Sequence, residues 1–249
     1  MRTILYSIML IMLPITAYAN RNTTIDSFSK AKKLLETQVY HDHRETIYCA
    51  ASFDSKKKIT PPKGFTTTKY IKRSAKVEWE HVVPAENFGK AFTEWRNGHE
   101  QCVNTKGKAF KGRRCTEKMN EEYRHMQADL YNLFPAIGAV NAMRSNYNFV
   151  ASVNDASDFG SCAMKIDNKK AEPPTESKGR IARAYLYMQD TYPQFKMGSP
   201  QQKLMMAWDK MYPVSDWECK RASRIESIQG NINQVLKTRC TGNQLISKN

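Results

Sequence analysis

Glu78-Trp-Glu-His-Val-Val-Pro-Ala-Glu-Asn-Phe-Gly89 sets a carboxylate, Glu80, directly beside a histidine, His81, on a short β-branched run that Pro84 stops. Neighbours on a strand point to opposite faces, so simple side-by-side packing does not put both into one site. The two can nevertheless flank a phosphate held by a divalent cation. A histidine beside the cation but not bound to it deprotonates water, while the carboxylate and a nearby amide oxygen hold the metal. Taken alone the pair is weak, because a basic chain of this length contains such dipeptides by chance. Glu80 would then be a solvated strand residue and His81 a partly buried one with a backbone partner.

A second segment lies about 50 residues on: Asp129-Leu-Tyr-Asn132-Leu-Phe-Pro135-Ala-Ile-Gly-Ala-Val-Asn141-Ala-Met-Arg144-Ser-Asn. Pro135 suits the first turn of a helix, and the apolar residues after it recur at helical spacing through Ile137 and Val140. Asn132 is thereby expected at a helix entrance, as an N-cap, a turn residue or a metal ligand. Asn141 is the fallback ligand if the helix entrance lies elsewhere. Glu78 shares strand parity with Glu80 and is a candidate to support the site.

Together these segments resemble the endonuclease I family of exported bacterial nucleases, whose active site is the ββα-metal (His-Me finger) motif. The resemblance extends to Val140-Asn-Ala-Met-Arg-Ser-Asn146, Ala171-Glu-Pro-Pro174, Gly179-Arg-Ile-Ala-Arg-Ala-Tyr-Leu-Tyr-Met188, Trp217-Glu-Cys219 and Ser227-Ile-Gln-Gly-Asn-Ile-Asn233. It implies that His81 is the general base and that Glu80 and Asn132 bind one cation. Mg²⁺ is the expected ion, with Mn²⁺ or Ca²⁺ as hard alternatives. It also implies that an arginine near the second cysteine of the Cys102 to Cys115 loop holds the cleaved phosphate. Arg113 and Arg114 both fit that place. Glu86-Asn87 departs from the aromatic-amide pair often found there in the family.

Met1-Arg2, an apolar run from Ile4 to about Ile15 and then Ala17-Tyr-Ala19 read as a secretory leader over residues 1–19. The expected location is therefore periplasmic or secreted. No later stretch approaches the roughly 20 apolar residues of a membrane span, and stable membrane association is not expected. Six cysteines in an exported chain favour disulfides. The nearest-neighbour pairing is Cys102 with Cys115 and Cys219 with Cys240, which leaves Cys49 for Cys162. Composition breaks nowhere inside, so residues 20–249 are expected to form one α+β domain, acting as a monomer, with several helices packed around the ββα-metal unit. Helices are expected over 116–130, 178–192 and 201–211, and loops over 56–63, 104–114 and 165–178.

The formal charge is +15, far beyond what solubility requires, and the leader accounts for only one cation, Arg2. Lysines and arginines crowd both sides of the Glu80-His81 strand, from Lys56 to Lys76 and from Lys106 to Lys118. That placement predicts a polyanion groove, because each neutralised phosphate releases condensed counterions. Lys76, Lys111 and Arg144 are the candidate nucleic-acid contacts, Arg144 having a salt bridge as its alternative. The cations cluster in loops rather than along a reading helix, so little sequence specificity is expected. The expected substrates are double- and single-stranded DNA and RNA, cut to leave 5′-phosphates. An exported basic nucleic-acid-binding protein without catalysis accounts for charge and export, but gives Glu80, His81 and Asn132 no joint purpose.

Overall fold

A computed structural model describes residues 21–246, so the expected leader lies outside the described residues. In chain order, helix α1 (Phe28–Leu34) runs through a π-turn into the small hairpin of β1 (Ser52–Phe53) and β2 (Ile59–Thr60). The single turn α2 (Ile71–Ser74) leads into β3 (Val77–His81), followed by the short helices α3 (Ala85–Gly89) and α4 (Thr93–Arg96). Beyond the cystine loop come α5 (Arg113–Met119), α6 (Glu121–Gln127), a 3-10 turn at Leu130–Asn132, β4 (Leu133–Ile137) and α7 (Gly138–Arg144). A three-stranded sheet of β5 (Asn148–Phe149), β6 (Lys165–Asp167) and β7 (Lys170–Glu172) follows. Helices α8 (Thr175–Thr191), α9 (Ser199–Met211), α10 (Asp216–Gln229) and α11 (Gln234–Ile246) complete an α+β architecture.

β3 and β4 pair antiparallel, with Trp79 opposite Pro135 and Glu80 opposite Phe134. This corrects the expected helix entrance. Pro135 lies inside a strand, where its missing N–H costs nothing on the free edge of a two-stranded sheet. Its carbonyl accepts from the Ile47 amide at 2.8 Å. The helix begins three residues later, at Gly138. A Cβ there would meet the Arg73 carbonyl oxygen at 2.5 Å and Glu78 Oε1 at 2.9 Å, so only glycine lets α7 start this close to β3.

Two other expectations change. The predicted helix over 116–130 is divided at Asn120, whose backbone is extended and whose side chain caps α6 by accepting from the Tyr123 amide. Thr116 is not a cap; its hydroxyl bonds the Gly112 carbonyl one turn back. The predicted loop over 165–178 contains the β6–β7 hairpin and the first turn of α8. By contrast α8 buries Ile181, Ala184, Tyr185 and Met188, the face its spacing predicts. Helix α10 is bounded by its own chemistry, with Ser215 accepting from the Glu218 amide at its start and the left-handed Gly230 at its end.

The disulfides are Cys49–Cys162, Cys102–Cys115 and Cys219–Cys240. Polar groups brace the core beneath β4. Arg221 is buried, and it donates to the Tyr40 hydroxyl and to the carbonyls of Leu130 and Leu133, with its guanidinium 3.9 Å from the Phe134 ring centroid. Asp129, fully buried, accepts from the hydroxyls of Tyr187 and Tyr192, both at 2.7 Å, from Gln229 Nε2 at 3.1 Å and from the Tyr131 amide at 2.9 Å. Burial pushes its carboxyl above the ordinary aspartate value, against the pull of these donors. Asp129→Asn puts an amide where an acceptor is required, so it should destabilise the oxidised protein by about 2 kcal/mol, checked by urea unfolding.

Candidate active site

A cavity of about 950 Å³ lies along β3, and all five residues of that strand line it. The cavity follows the strand rather than one face of the sheet, which lets neighbours of opposite parity share it. Helix α1 supplies Phe28 and Lys32, α5 supplies Arg113, and α7 supplies Asn141.

His81 is 8 % exposed, and its Nε2 lies 2.8 Å from the Gln127 carbonyl oxygen. A carbonyl only accepts, so Nε2 carries the proton and Nδ1 is the basic nitrogen. The ring packs on Phe28, centroids 4.8 Å apart. Burial lowers its pKa to about 3, with Arg113 adding the next largest push and Arg144 and Lys32 smaller ones, against the Gln127 carbonyl. The imidazole is neutral at physiological pH.

Glu80 is 3 % exposed and anchored through one oxygen. Its Oε1 accepts from the Tyr48 hydroxyl at 2.6 Å and from Arg144 at 2.7 Å, and no hydrogen bond to Oε2 is formed among the described residues. Burial raises its pKa, while Arg144 and Tyr48 lower it. Arg144 also donates to the carbonyls of His81, at 2.9 Å, and Val82, at 2.7 Å. It is fully buried, so the expected nucleic-acid contact is corrected: Arg144 braces the site from behind and does not reach solvent.

The Asn132 expectation is corrected as well. Fully buried, Asn132 accepts from the Val83 amide at 2.7 Å and donates to the Val83 carbonyl at 2.9 Å. It clamps the chain leaving β3 and does not line the cavity. Asn141 does. Its Nδ2 donates to Glu78 at 2.8 Å, and Glu78 is gripped by Arg73 at 2.7 and 2.5 Å. The amide is thereby oriented with Oδ1 left over. Glu80 Oε2 and Asn141 Oδ1 are two hard oxygens on one cavity, a donor pair suited to a cation that keeps several waters. Among the described residues no group of three or more His, Cys, Asp or Glu side chains could hold a metal.

The geometry separates the two arginines. Arg113 lines the cavity, donates to Gln127 Oε1 at 3.2 Å and lies 5.2 Å from the Phe28 ring centroid. Arg114 is exposed, does not line the cavity and lies over Phe110. Lys76 and Lys111 are exposed and flank the cavity without lining it. Sequence reading missed Phe28, Lys32 and Lys33 of α1, although Ser29-Lys-Ala-Lys-Lys33 is a visible basic run. It also missed Gln127 and Tyr48, which carry no local signal. His43 stacks on Trp217 with centroids 3.9 Å apart, away from this cavity.

Two outcomes follow. In metal-free protein the His81 ring should stay neutral from pH 8 to 5, its C2-proton NMR shift flat through the ordinary histidine range near 6.5. Because the unfolded chain binds that proton and the folded chain does not, this residue's contribution to stability should fall as pH drops below about 6.5 toward 3. Arg144→Ala leaves the Glu80 carboxylate buried without its cation, and should cost about 3–5 kcal/mol in denaturant unfolding.

Comparison with known proteins bears on the family of the chain. The Endonuclease I family model matches residues 18–239. An extracellular deoxyribonuclease of Aeromonas hydrophila is 37 % identical over 223 residues, covering 87 % of this chain and 90 % of the relative. A periplasmic deoxyribonuclease of the same species is 38 % identical over 82 % of each chain. An endonuclease-1 of Buchnera aphidicola subsp. Baizongia pistaciae is 38 % identical over 226 residues, 87 % of this chain and 85 % of its own. With the family model spanning most of its length, this chain belongs to the endonuclease I family.

Proposed function

We propose that this protein is an exported, metal-dependent endonuclease that hydrolyses phosphodiester bonds of DNA and RNA with little sequence preference, leaving 5′-phosphates. The observation that carries the reading is one cavity holding a neutral histidine with a free Nδ1, two oriented hard oxygens and a guanidinium. The β3–β4–α7 unit is then a ββα-metal site. The names of the Aeromonas relatives support DNA as substrate and export as destination. Among the described residues no helix is long and apolar enough to cross a membrane.

Glu80 Oε2 and Asn141 Oδ1 would hold the cation, Mg²⁺ or a similar hard ion. When bound, it supplies charge stabilisation at the phosphate and the leaving oxygen. Nδ1 of His81 takes a proton from water attacking phosphorus, and the Gln127 carbonyl stabilises the imidazolium through Nε2–H. The bond to the 3′-oxygen breaks and that oxygen takes a proton from solvent water, giving a 3′-hydroxyl and a 5′-phosphate, while His81 returns its proton to solvent. Arg113, a planar donor on the cavity wall, holds the phosphate oxygens, while Lys32 and Lys33 extend the positive rim. A side chain set that contacts phosphate rather than base edges leaves sequence and sugar unread.

His81→Ala should lower plasmid cleavage by about 10²-fold or more with the fold intact, and EDTA should abolish cleavage by the native chain. Asn141→Ala should shift the Mg²⁺ titration of activity to higher concentration, and Asn132→Ala should instead lower thermal stability without shifting that titration. Cleavage that survives EDTA overturns the metal assignment. Salt-sensitive binding without cleavage of plasmid or single-stranded RNA overturns the enzyme.

A further inference from the structure

A second cavity, about 340 Å³, adjoins the site, and Ser145 lines both. Lys69 and Tyr70 stand at its rim, facing Lys169 and Asp167. Tyr70 is 51 % exposed, and its backbone is left-handed, φ 54° and ψ 36°, a region that residues with side chains adopt at a cost. A large aromatic side chain held outward on such a backbone has no structural purpose that its packing reveals. Beside it Ile71 is 64 % exposed.

The ring is not loose. The Arg73 guanidinium lies 5.4 Å from its centroid, and Arg73 is fixed through two hydrogen bonds to Glu78, the carboxylate that orients Asn141. A continuous chain of contacts therefore runs from the active-site amide to the exposed ring. Lys69 and Lys169 line the same cavity as the ring and Lys72 lies two residues on in the chain; all three are exposed and form no ion pair among the described residues. Asp158 and Asp167 also line the cavity and match its two lysines, and Asp167 accepts from Asn168 at 2.7 Å. An exposed flat π-surface among unpaired cations fits a flat apolar group carried on a polyanion, which is a nucleobase on its phosphate backbone.

We propose that Tyr70 is a stacking platform for an unpaired nucleobase next to the phosphate in the active site, with Lys69 and Lys72 on the adjoining phosphates. The subsite rests on the nuclease reading given above. It gives the enzyme grip on single-stranded or frayed substrate without base selectivity, because every base offers a π-face.

The test uses the mature, oxidised chain with Tyr70→Asn, which deletes the ring while tolerating the left-handed backbone, and Tyr70→Trp, which keeps an aromatic face. Binding of single-stranded oligonucleotides is measured in the His81→Ala background, and cleavage in the otherwise native chain. Tyr70→Asn is expected to weaken binding about tenfold and to raise KM by the same factor with kcat within twofold. Tyr70→Trp restores both, and the difference vanishes on an abasic oligonucleotide of the same charge. Irradiation of an iodouracil-substituted strand bound to the His81→Ala chain should place the adduct on Tyr70. Unchanged affinity in Tyr70→Asn, or an equal loss on the abasic strand, overturns the platform. Normal cleavage with no effect of Tyr70 sinks the platform and leaves the nuclease standing, whereas Tyr70-dependent binding without cleavage does the reverse.

Discussion

The buried contact between Arg144 and Glu80 is the constraint on which the site depends. A carboxylate this deep costs several kcal/mol of lost hydration, and a single arginine recovers it only with good geometry. Arg144 supplies that geometry by also donating to the carbonyls of His81 and Val82, so one guanidinium fixes both Glu80 and the backbone of His81. Its own position follows from α7, which starts close to β3 because residue 138 has no side chain. A cation that also sought Glu80 would meet an oxygen already half neutralised. Arg144 and Tyr48 both use Oε1, which leaves Oε2 for that purpose.

Reading the sequence brought Glu80 and His81, which line the cavity, forward because secondary structure there is local: these residues and the valines after them lie within one strand and its exit. The α+β class, the α8 face and the cysteine pairing were legible for the same reason or from chain proximity. The amide ligand was not. Pro135 obeys two rules, first turn of a helix or edge of a sheet, and only the pairing with β3 decides between them. Once the helix start moves to Gly138, Asn132 turns inward to clamp Val83 and Asn141 turns toward the cavity. Gln127 was illegible because its role lies in a backbone carbonyl, which residue identity does not encode.

Charge reading points to regions of the chain and not to individual side chains. Many cations in those regions are already committed: Arg73 to Glu78, Lys57 to Glu36, and Arg144 to Glu80. A polyanion meets what is left, and that remainder includes Lys32 and Lys33 on α1, distant in sequence from the Glu-His pair. The π-turn that follows α1 keeps Leu35 and Val39 in the core, so the basic face stays turned to the cavity mouth.

Gln127 connects the two halves of the proposed chemistry. Its carbonyl sets the tautomer of His81 while its side-chain oxygen holds Arg113, so base and phosphate-binding cation are referenced to one residue at the end of α6. Arg113 opens α5 after Gly112, whose φ of 77° lets the chain turn into that helix, and Cys115 one half-turn later ties α5 back to Cys102. The cystine therefore restrains the helix that carries the Arg113 guanidinium. Glu80 and Asn141 sit on β3 and α7, held by Arg144 and Glu78 and independent of that bridge. In the proposed mechanism, the cystine therefore acts on the phosphate-binding guanidinium more directly than on the two cation donors.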